Sequence, residues 1–332
     1  MAILSSELKF YKSAVVDSTT ANGGVMSNNV LTSGSPQNVF PNVLAAERVA
    51  GSTLYRKLFL KVANDADATL INPQLWLDVV TAAADWVVMF AGTQTDTQAS
   101  IGTPRIYGCG TLKTSVSIGG SALVVTVEDS TITGMFVDGD TIRITDKATP
   151  SSVTGNEQIM TISGAPSVSG NDVTITTTET LAAAYTGAVA RVMSVYEPSD
   201  VECSVDNWVE TSSSGTYDES TYPVICDNIG SIEQTWTLTF ADATNFTVSG
   251  STVGALASGT VGVNYAPNNP NFTKPYFTLE FAGFGGTWAN GDTLVFQTHP
   301  AALAIWEKRV VPAGAASLSG NYTTLAVAGE SA

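Results

Sequence analysis

Ser52–Val62 alternates with a period of two: Leu54, Arg56, Leu58, Leu60 and Val62 project to one side, Tyr55, Lys57, Phe59 and Lys61 to the other. That alternation commits the segment to a β-strand, because successive side chains of a strand take opposite faces. Neither face is cleanly polar, since each mixes cations with large apolar groups. Such a strand needs cover on both sides, and free solvent would leave Tyr55 and Phe59 bare. The expectation is a surface finished by another protein, with Arg48, Tyr55, Arg56, Lys57, Phe59 and Lys61 as the candidate subunit interface. Arg48, Arg56, Lys57 and Lys61 are four of only 14 Lys and Arg in the chain.

The rest of the chain carries the punctuation of a β protein. Residues 1–38 hold a short apolar stretch and the turn signal Asn22-Gly23-Gly24, and read as an N-terminal arm or hairpin. After Asn38, Pro41 near a first helical position and Gly51 as a stop predict about two to three turns of helix bearing Val43, Leu44 and Val49. Strands are expected at 69–80, interrupted by Pro73, and at 85–90, so that residues 39–111 make the first half of a core domain. Residues 112–197 read as an inserted β-sandwich-like domain, with strand-like runs at 122–128, 141–145, 157–162, 172–176 and 188–196 between Gly, Pro, Ser and Asn clusters. Residues 198–313 complete the core with strands at 232–240, 244–248, 261–265, 276–281, 293–297 and 304–310, and 314–332 form a C-terminal arm with a last strand at 323–327. The expected fold is mainly β: a β-sandwich or β-barrel core with one short helix and an inserted all-β domain. Val137-Asp138-Gly139-Asp140-Thr141-Ile142 is echoed by Ala289-Asn290-Gly291-Asp292-Thr293-Leu294. Asp-Gly and Asn-Gly are favoured hairpin dipeptides, so a common turn explains the echo as well as a duplication does.

Charge narrows the function. Only 13% of residues are charged, and 14 Lys and Arg face 30 Asp and Glu, a net charge of −16. An excess of carboxylates on this scale argues against a surface that grips phosphate. No Lys or Arg lies between Arg191 and Lys274, whereas Asp200, Glu202, Asp206, Glu210, Asp218, Glu219, Asp227, Glu233 and Asp242 all do. Two readings follow: a solvated face that confers solubility, or an acidic lumen past which DNA slides without being held. The first residues lack the basic start, apolar core and cleavage site of a signal peptide, and no apolar run has the length of a membrane helix. The expectation is a protein made and used without export and without a membrane. Cys109, Cys203 and Cys226 form no C-x-x-C pair and read as reduced, mostly buried thiols.

Catalytic constellations are not legible. His299 is the only histidine, and no Gly-x-Ser-x-Gly elbow occurs to pair with it. The cysteines and histidine fail zinc on ligand count and spacing, and Gly283-Phe284-Gly285-Gly286 lacks the Lys-Ser/Thr of a phosphate cradle. Asp65 and Asp67 recur like the opening of a calcium loop, without its glycine or distal glutamate. Glycoside cleavage needs only two spaced acids, but the adjacent pairs Glu128-Asp129 and Asp218-Glu219 would point to opposite faces of a strand. No catalytic residue, metal or cofactor is expected. An adhesin-like or carbohydrate-binding β protein stays open, since Trp208 sits beside acids in Asn207-Trp208-Val209-Glu210.

Several motifs carry a family resemblance: Glu7-Leu8-Lys9-Phe10-Tyr11-Lys12-Ser13, Ala21-Asn22-Gly23-Gly24, Phe40-Pro41, Ala46-Glu47-Arg48-Val49-Ala50-Gly51-Ser52, Tyr55-Arg56-Lys57, Lys61-Val62-Ala63-Asn64 and Gly92-Thr93-Gln94. With the end of the chain, from Trp288 through Trp306 to Val311-Pro312-Ala313-Gly314, they resemble virion structural proteins from the tail-morphogenesis regions of Mu-like, long-tailed transposable bacteriophages. The resemblance covers about the first hundred and last fifty residues and leaves the middle unmatched. It implies a virion component, a tail one first, assembled in the host cytoplasm, with itself and other virion proteins as partners and DNA as passing cargo. A tail-tube subunit stacks in rings by pairing strand edges, and the 1–38 and 314–332 arms would be natural joints.

Overall fold

The computed structural model describes residues 2–332, and the fold is mainly β. At its centre is a five-stranded antiparallel sheet in the order Gly23–Val30, Leu8–Val15, Ser52–Val62, Ala302–Val311, Trp86–Ala91. Ser52–Val62 is the middle strand, paired along its whole length with Ala302–Val311, from Val311 opposite Ser52 to Ala302 opposite Lys61. Leu8–Val15 takes its other edge, with Leu8 opposite Val62. The alternation read from the sequence holds, but both faces are covered by this chain. Leu58, Leu60 and Val62 enter a core with Leu70, Leu75, Trp76, Met89 and Ile305, while Phe59 packs with Tyr11 and Ala304 on the opposite side.

A seven-stranded sheet follows, in the order Ser167–Ser169, Asp172–Thr176, Ala122–Thr126, Cys109–Leu112, Arg191–Ser194, Thr141–Thr145, Glu157–Thr161. It occupies the segment read as an insertion, with its first strand starting at Cys109. Its core, built from Leu123, Val125, Ile142, Ile144, Val173 and Ile175, also takes in Trp86 and Val88 from the central sheet. The third sheet runs Ser204–Thr211, Thr293–His299, Gln234–Phe240, Asn245–Gly250, Gly254–Ala255, and covers an aromatic core in which Phe240 and Trp288 stack at 3.9 Å.

Departures from the expected elements have local causes. The helix is only Ala45–Ala50: it opens at Leu44, whose N–H donates to Glu47 Oε2 at 2.6 Å, and stops at Gly51 with φ 79°. It begins late because Leu44 is still extended (φ −76°, ψ 157°), and ahead of it the Pro41 carbonyl accepts from Arg309 Nη1 at 2.7 Å. Pro73 does not break its strand. Leu70–Leu77 carries it at a bulge, where Asn72 has φ 47° and the register against Leu325–Ser331 shifts between Ala328 and Glu330. That pairing also docks the C-terminal segment, so residues 325–331 are a strand of this molecule where an arm reaching a neighbour was expected. The N-terminal segment is the hairpin of Leu8–Val15 with Gly23–Val30, fixed in the central sheet. The stretch 261–265 forms no strand; Tyr265 makes one bridge to Leu279. The two echoed hexapeptides fold alike: the N–H of Val137 donates to Asp140 and that of Ala289 to Asp292, each at 2.8 Å, with Gly139 at φ 85° and Gly291 at φ 90°.

Candidate functional site

Two places concentrate unusual chemistry, the buried cations of the central strand and an acidic groove beside the third sheet. Lys57 and Lys61 alternate with Phe59 on one face, and all three are within 1% of complete burial. Lys57 Nζ reaches Asp96 Oδ1 at 2.6 Å, the Gly24 carbonyl at 2.7 Å and the Asp96 carbonyl at 2.9 Å, with the Phe59 ring 5.0 Å away. Lys61 Nζ donates to the Ile229 carbonyl at 2.7 Å and lies 4.2 Å from the centre of the Phe272 ring. Burial pushes Lys61 down to about 8 and lowers Lys57, where Asp96 opposes the shift. On the other face Arg56 donates to the Asp17 and Tyr55 carbonyls, and Arg56 and Arg309 share the Phe40 ring. Glu307, opposite Arg56 in the ladder, is 3% exposed, and burial raises it to about 7.

These positions correct the interface expectation. Lys57, Phe59 and Lys61 are inside the subunit, and Arg56 is buried at 7%, so none offers a surface to a neighbour. The cover that the lysine face requires comes from Gly24 at the start of the edge strand and from the loops holding Asp96 and Ile229. Tyr55 is half-buried, its ring edge-on to Phe90, and Arg48 is half-buried on the short helix.

The nine acidic residues scatter over several local tasks. Asp200 accepts from the Asn72 N–H at the bulge of Leu70–Leu77, and Glu202 from the hydroxyl of Thr69 just before that strand. Glu210 accepts from the Tyr217 N–H, and Asp227 from the N–H groups of Ile229 and Gly230. Asp218 and Asp242 cap turns, and the hydrogen bonds they accept from Ser220 and Asn245 first, then from their neighbours, hold both below the usual carboxylate range. Asp200, Glu202, Asp206, Asp218, Glu219 and Asp242 are exposed, while Glu210, Asp227 and Glu233 are half-buried.

His299 joins two of them. Its Nδ1 is 2.8 Å from Glu233 and its Nε2 3.1 Å from Asp206; burial works against the imidazolium, but the two carboxylates outweigh it and raise the pKa. Both ring nitrogens are thereby occupied, which leaves none free to activate a nucleophile. Asp206 also borders an open groove of about 680 Å³ with Cys203, Trp208, Glu219 and Cys226. The sequence reading missed this juxtaposition of two thiols from segments more than twenty residues apart.

The remaining motifs find structural uses. Asp65 pairs with Lys274 at 2.8 Å, and Asp67 accepts from the Asn228 N–H, so the loop that opens like a calcium site ties the central sheet to the third. Asp129 accepts from the Thr131 N–H at the start of a short 3-10 turn, while burial raises its neighbour Glu128 to about 7. Among the described residues no cluster of three or more His, Cys, Asp or Glu side chains is arranged for a metal ion, and no helix is long and apolar enough to cross a membrane.

No family model matches the chain. No curated protein matches it. Among solved structures it is similar to the phage phi92 endosialidase at 11% identity and a TM-score of 0.19, over 82% of this chain and 48% of that one. The chain thus spans about half the length of that structure, and a likeness at this level carries no argument about activity.

Proposed function

We propose that this protein is a structural component of a bacteriophage virion, a tail-tube subunit that assembles with copies of itself into stacked rings through which DNA passes. The resemblance of its two ends to phage tail-region proteins supplies the class. The observation that carries assembly is the edge strand Gly23–Val30, GGVMSNNV, which has neither charge nor proline. It is the outermost strand of the central sheet, and beyond Gly24 no further strand among the described residues covers its outer side. Monomeric β proteins blunt such edges with lysine, proline, bulges or very short strands; this one shifts register twice against Leu8–Val15, but as an uncharged eight-residue edge it fits a template for pairing with another subunit. Arg48 on the short helix, with exposed Leu44 and Val49 (64% and 77%), offers a further apolar surface.

In this reading the protein has no catalytic residue, cofactor or small-molecule substrate, and other virion proteins are its further partners. The exposed acids Asp200, Glu202, Asp206, Asp218, Glu219 and Asp242 are candidates for a lumen that gives phosphate no counter-charge. Negative-stain microscopy of the purified protein tests the proposal: rings or tubes are expected. Asn28→Lys with Val30→Lys, which place charge on the edge, should leave a folded monomer that no longer assembles. A wild-type protein that stays monomeric at high concentration and is missing from tails overturns the reading.

Trp208, half-buried on the wall of the groove beside Asp206 and Glu219, favours a second reading as a carbohydrate-binding virion protein, at a baseplate, neck or capsid surface. Binding on a glycan array that Trp208→Ala abolishes would support it over the tube.

A further inference from the structure

Cys203 and Cys226 stand on the wall of one open groove, each half-buried. Their surroundings interlock. The Cys203 N–H donates to Asn228 Oδ1 at 3.3 Å, while Cys226 Sγ lies 3.5 Å from the Ser204 carbonyl, so the 203–204 and 226–228 segments clasp each other beside both side chains. Both residues line that groove, and Cys226 Sγ approaches the carbonyl of the residue that directly follows Cys203. By contrast Cys109, 6% exposed in the seven-stranded sheet, touches neither groove nor partner thiol.

We propose that Cys203 and Cys226 are a redox-active thiol pair, which a low-molecular-weight disulfide of the glutathione class oxidises to an intramolecular disulfide fastening the edge strand Ser204–Thr211 to the 226–231 loop. Cys226 is the attacking sulfur. The neighbouring Cys203 thiol holds that of Cys226 below the ordinary range against the opposing effect of burial, with Ser231 and His299 acting in the same sense as Cys203. Its thiolate displaces one thiolate from the external disulfide and forms a mixed disulfide. Cys203, raised by the neighbouring Cys226 and by burial, then loses its proton and attacks the Cys226 sulfur, releasing the second external thiolate. Two protein thiols and one disulfide become one protein disulfide and two small thiols, so electrons and protons balance.

The bond would close a loop of 22 intervening residues that holds Ser204–Thr211 and Gly215–Tyr217. It would also fix the segment whose Ile229 carbonyl holds Lys61 and whose Asn228 side chain donates to the Ala68 carbonyl at 3.0 Å. The third sheet would thus be locked onto the central one when the protein passes from a reducing to an oxidising compartment.

The test equilibrates the full-length protein in buffers of graded oxidised to reduced glutathione, quenches with iodoacetamide and maps peptides without reduction. Expected are a Cys203–Cys226 cross-link that appears cooperatively with oxidant, a Cys109 that stays alkylatable after denaturation, and an unfolding midpoint higher by about 5 °C in the oxidised form. Cys203→Ser should trap glutathione on Cys226, whereas Cys226→Ser should leave Cys203 unmodified at neutral pH. The proposal is overturned if both thiols remain alkylatable at the most oxidising ratio, if a mixed disulfide persists on Cys226 of the wild type, or if either sulfur pairs with a second chain.

Discussion

Replacing Lys57 by Met keeps most of the side chain's volume and removes its charge, which isolates what the buried ammonium does. Three acceptors lose the ammonium, Asp96 Oδ1 at 2.6 Å and the carbonyls of Gly24 and Asp96 at 2.7 and 2.9 Å, although Oδ1 keeps the Thr93 N–H at 3.1 Å and the Asp96 carbonyl keeps the Gly24 N–H at 2.8 Å. Removing one partner of a buried ion pair costs about 3–5 kcal/mol, because the remaining charge is stranded. Asp96 is not wholly stranded here. Its side chain keeps 19% exposure and its Oδ2 still accepts from Trp306 Nε1 at 2.8 Å, which places the loss near the lower limit, about 3 kcal/mol. Urea unfolding at neutral pH measures it, and amide exchange locates it: protection should fall first in Gly23–Val30 and in the 93–98 loop, the two segments that Lys57 clamps. Adding Asp96→Asn to Lys57→Met should recover part of the loss, with a coupling of about 1–2 kcal/mol. A Lys57→Met protein within about 0.5 kcal/mol of wild type, or strict additivity in the double variant, would refute the clamp.

Three other outcomes follow from the same core. Lys61 has its pKa lowered from 10.5 to about 8, so the unfolded chain holds that proton more tightly; stability should rise with pH between about 8 and 10, by up to about 3 kcal/mol, and Lys61→Met should flatten the rise in urea titrations. Glu307 is raised from 4.5 to about 7, so its contribution is complete below pH 4.5 and is lost as pH climbs through 7; Glu307→Gln should be flat over that window and more stable than wild type at pH 8 by about 2–3 kcal/mol. Gly230→Ala would set a Cβ 2.0 Å from the Pro275 carbonyl oxygen, which is backbone and cannot swing aside. Its thermal midpoint should fall, with lost protection around the Ile229 carbonyl that holds Lys61.

Most strands were legible because period-two alternation survives in them: 232–240 and 293–297 were read from sequence, and Gln234–Phe240 and Thr293–His299 are observed. Ser204–Thr211 was not read, and its geometry says why. A bulge between Asp206 and Val209, with Asn207 at φ 53°, puts Val205 and Trp208 on the same core at a spacing of three, which no alternation template detects. The acidic residues of that region were visible as composition, but their individual duties as turn caps and cross-sheet acceptors depend on tertiary neighbours. The Cys203–Cys226 encounter is of the same kind, since no local spacing foretells it. Ser52–Val62 shows the subtler failure: its two mixed faces were read correctly and assigned the wrong cover. The strand that completes it lies some 250 positions onward, at Ala302–Val311, and nothing local in either segment names the other.

The buried lysines follow from what covers them. One face of the central sheet is roofed partly by irregular segments, the 93–98 loop and the 229–231 loop, and Gly24 of the edge strand turns its carbonyl to the same lysine as Asp96. Irregular backbone brought over a core carries carbonyls that no ladder satisfies, and each would cost roughly 1–3 kcal/mol if left without a donor. An apolar side chain at position 57 or 61 would pack against Phe59 and take the ammonium from the Gly24 and Ile229 carbonyls, while the Asp96 carbonyl would keep the Gly24 N–H at 2.8 Å. A lysine supplies three donors on a flexible apolar stem, so one residue can lie along the aromatic core and still satisfy carbonyls on more than one segment. Lys57 does this for Gly24 and Asp96, and Lys61 for Ile229 and, at 3.4 Å, Ser231. The desolvation of two ammonium groups is the cost of roofing a sheet with loops. Two cations flanking a phenylalanine on one face of a strand therefore mark a loop-covered sheet face as readily as an intermolecular one.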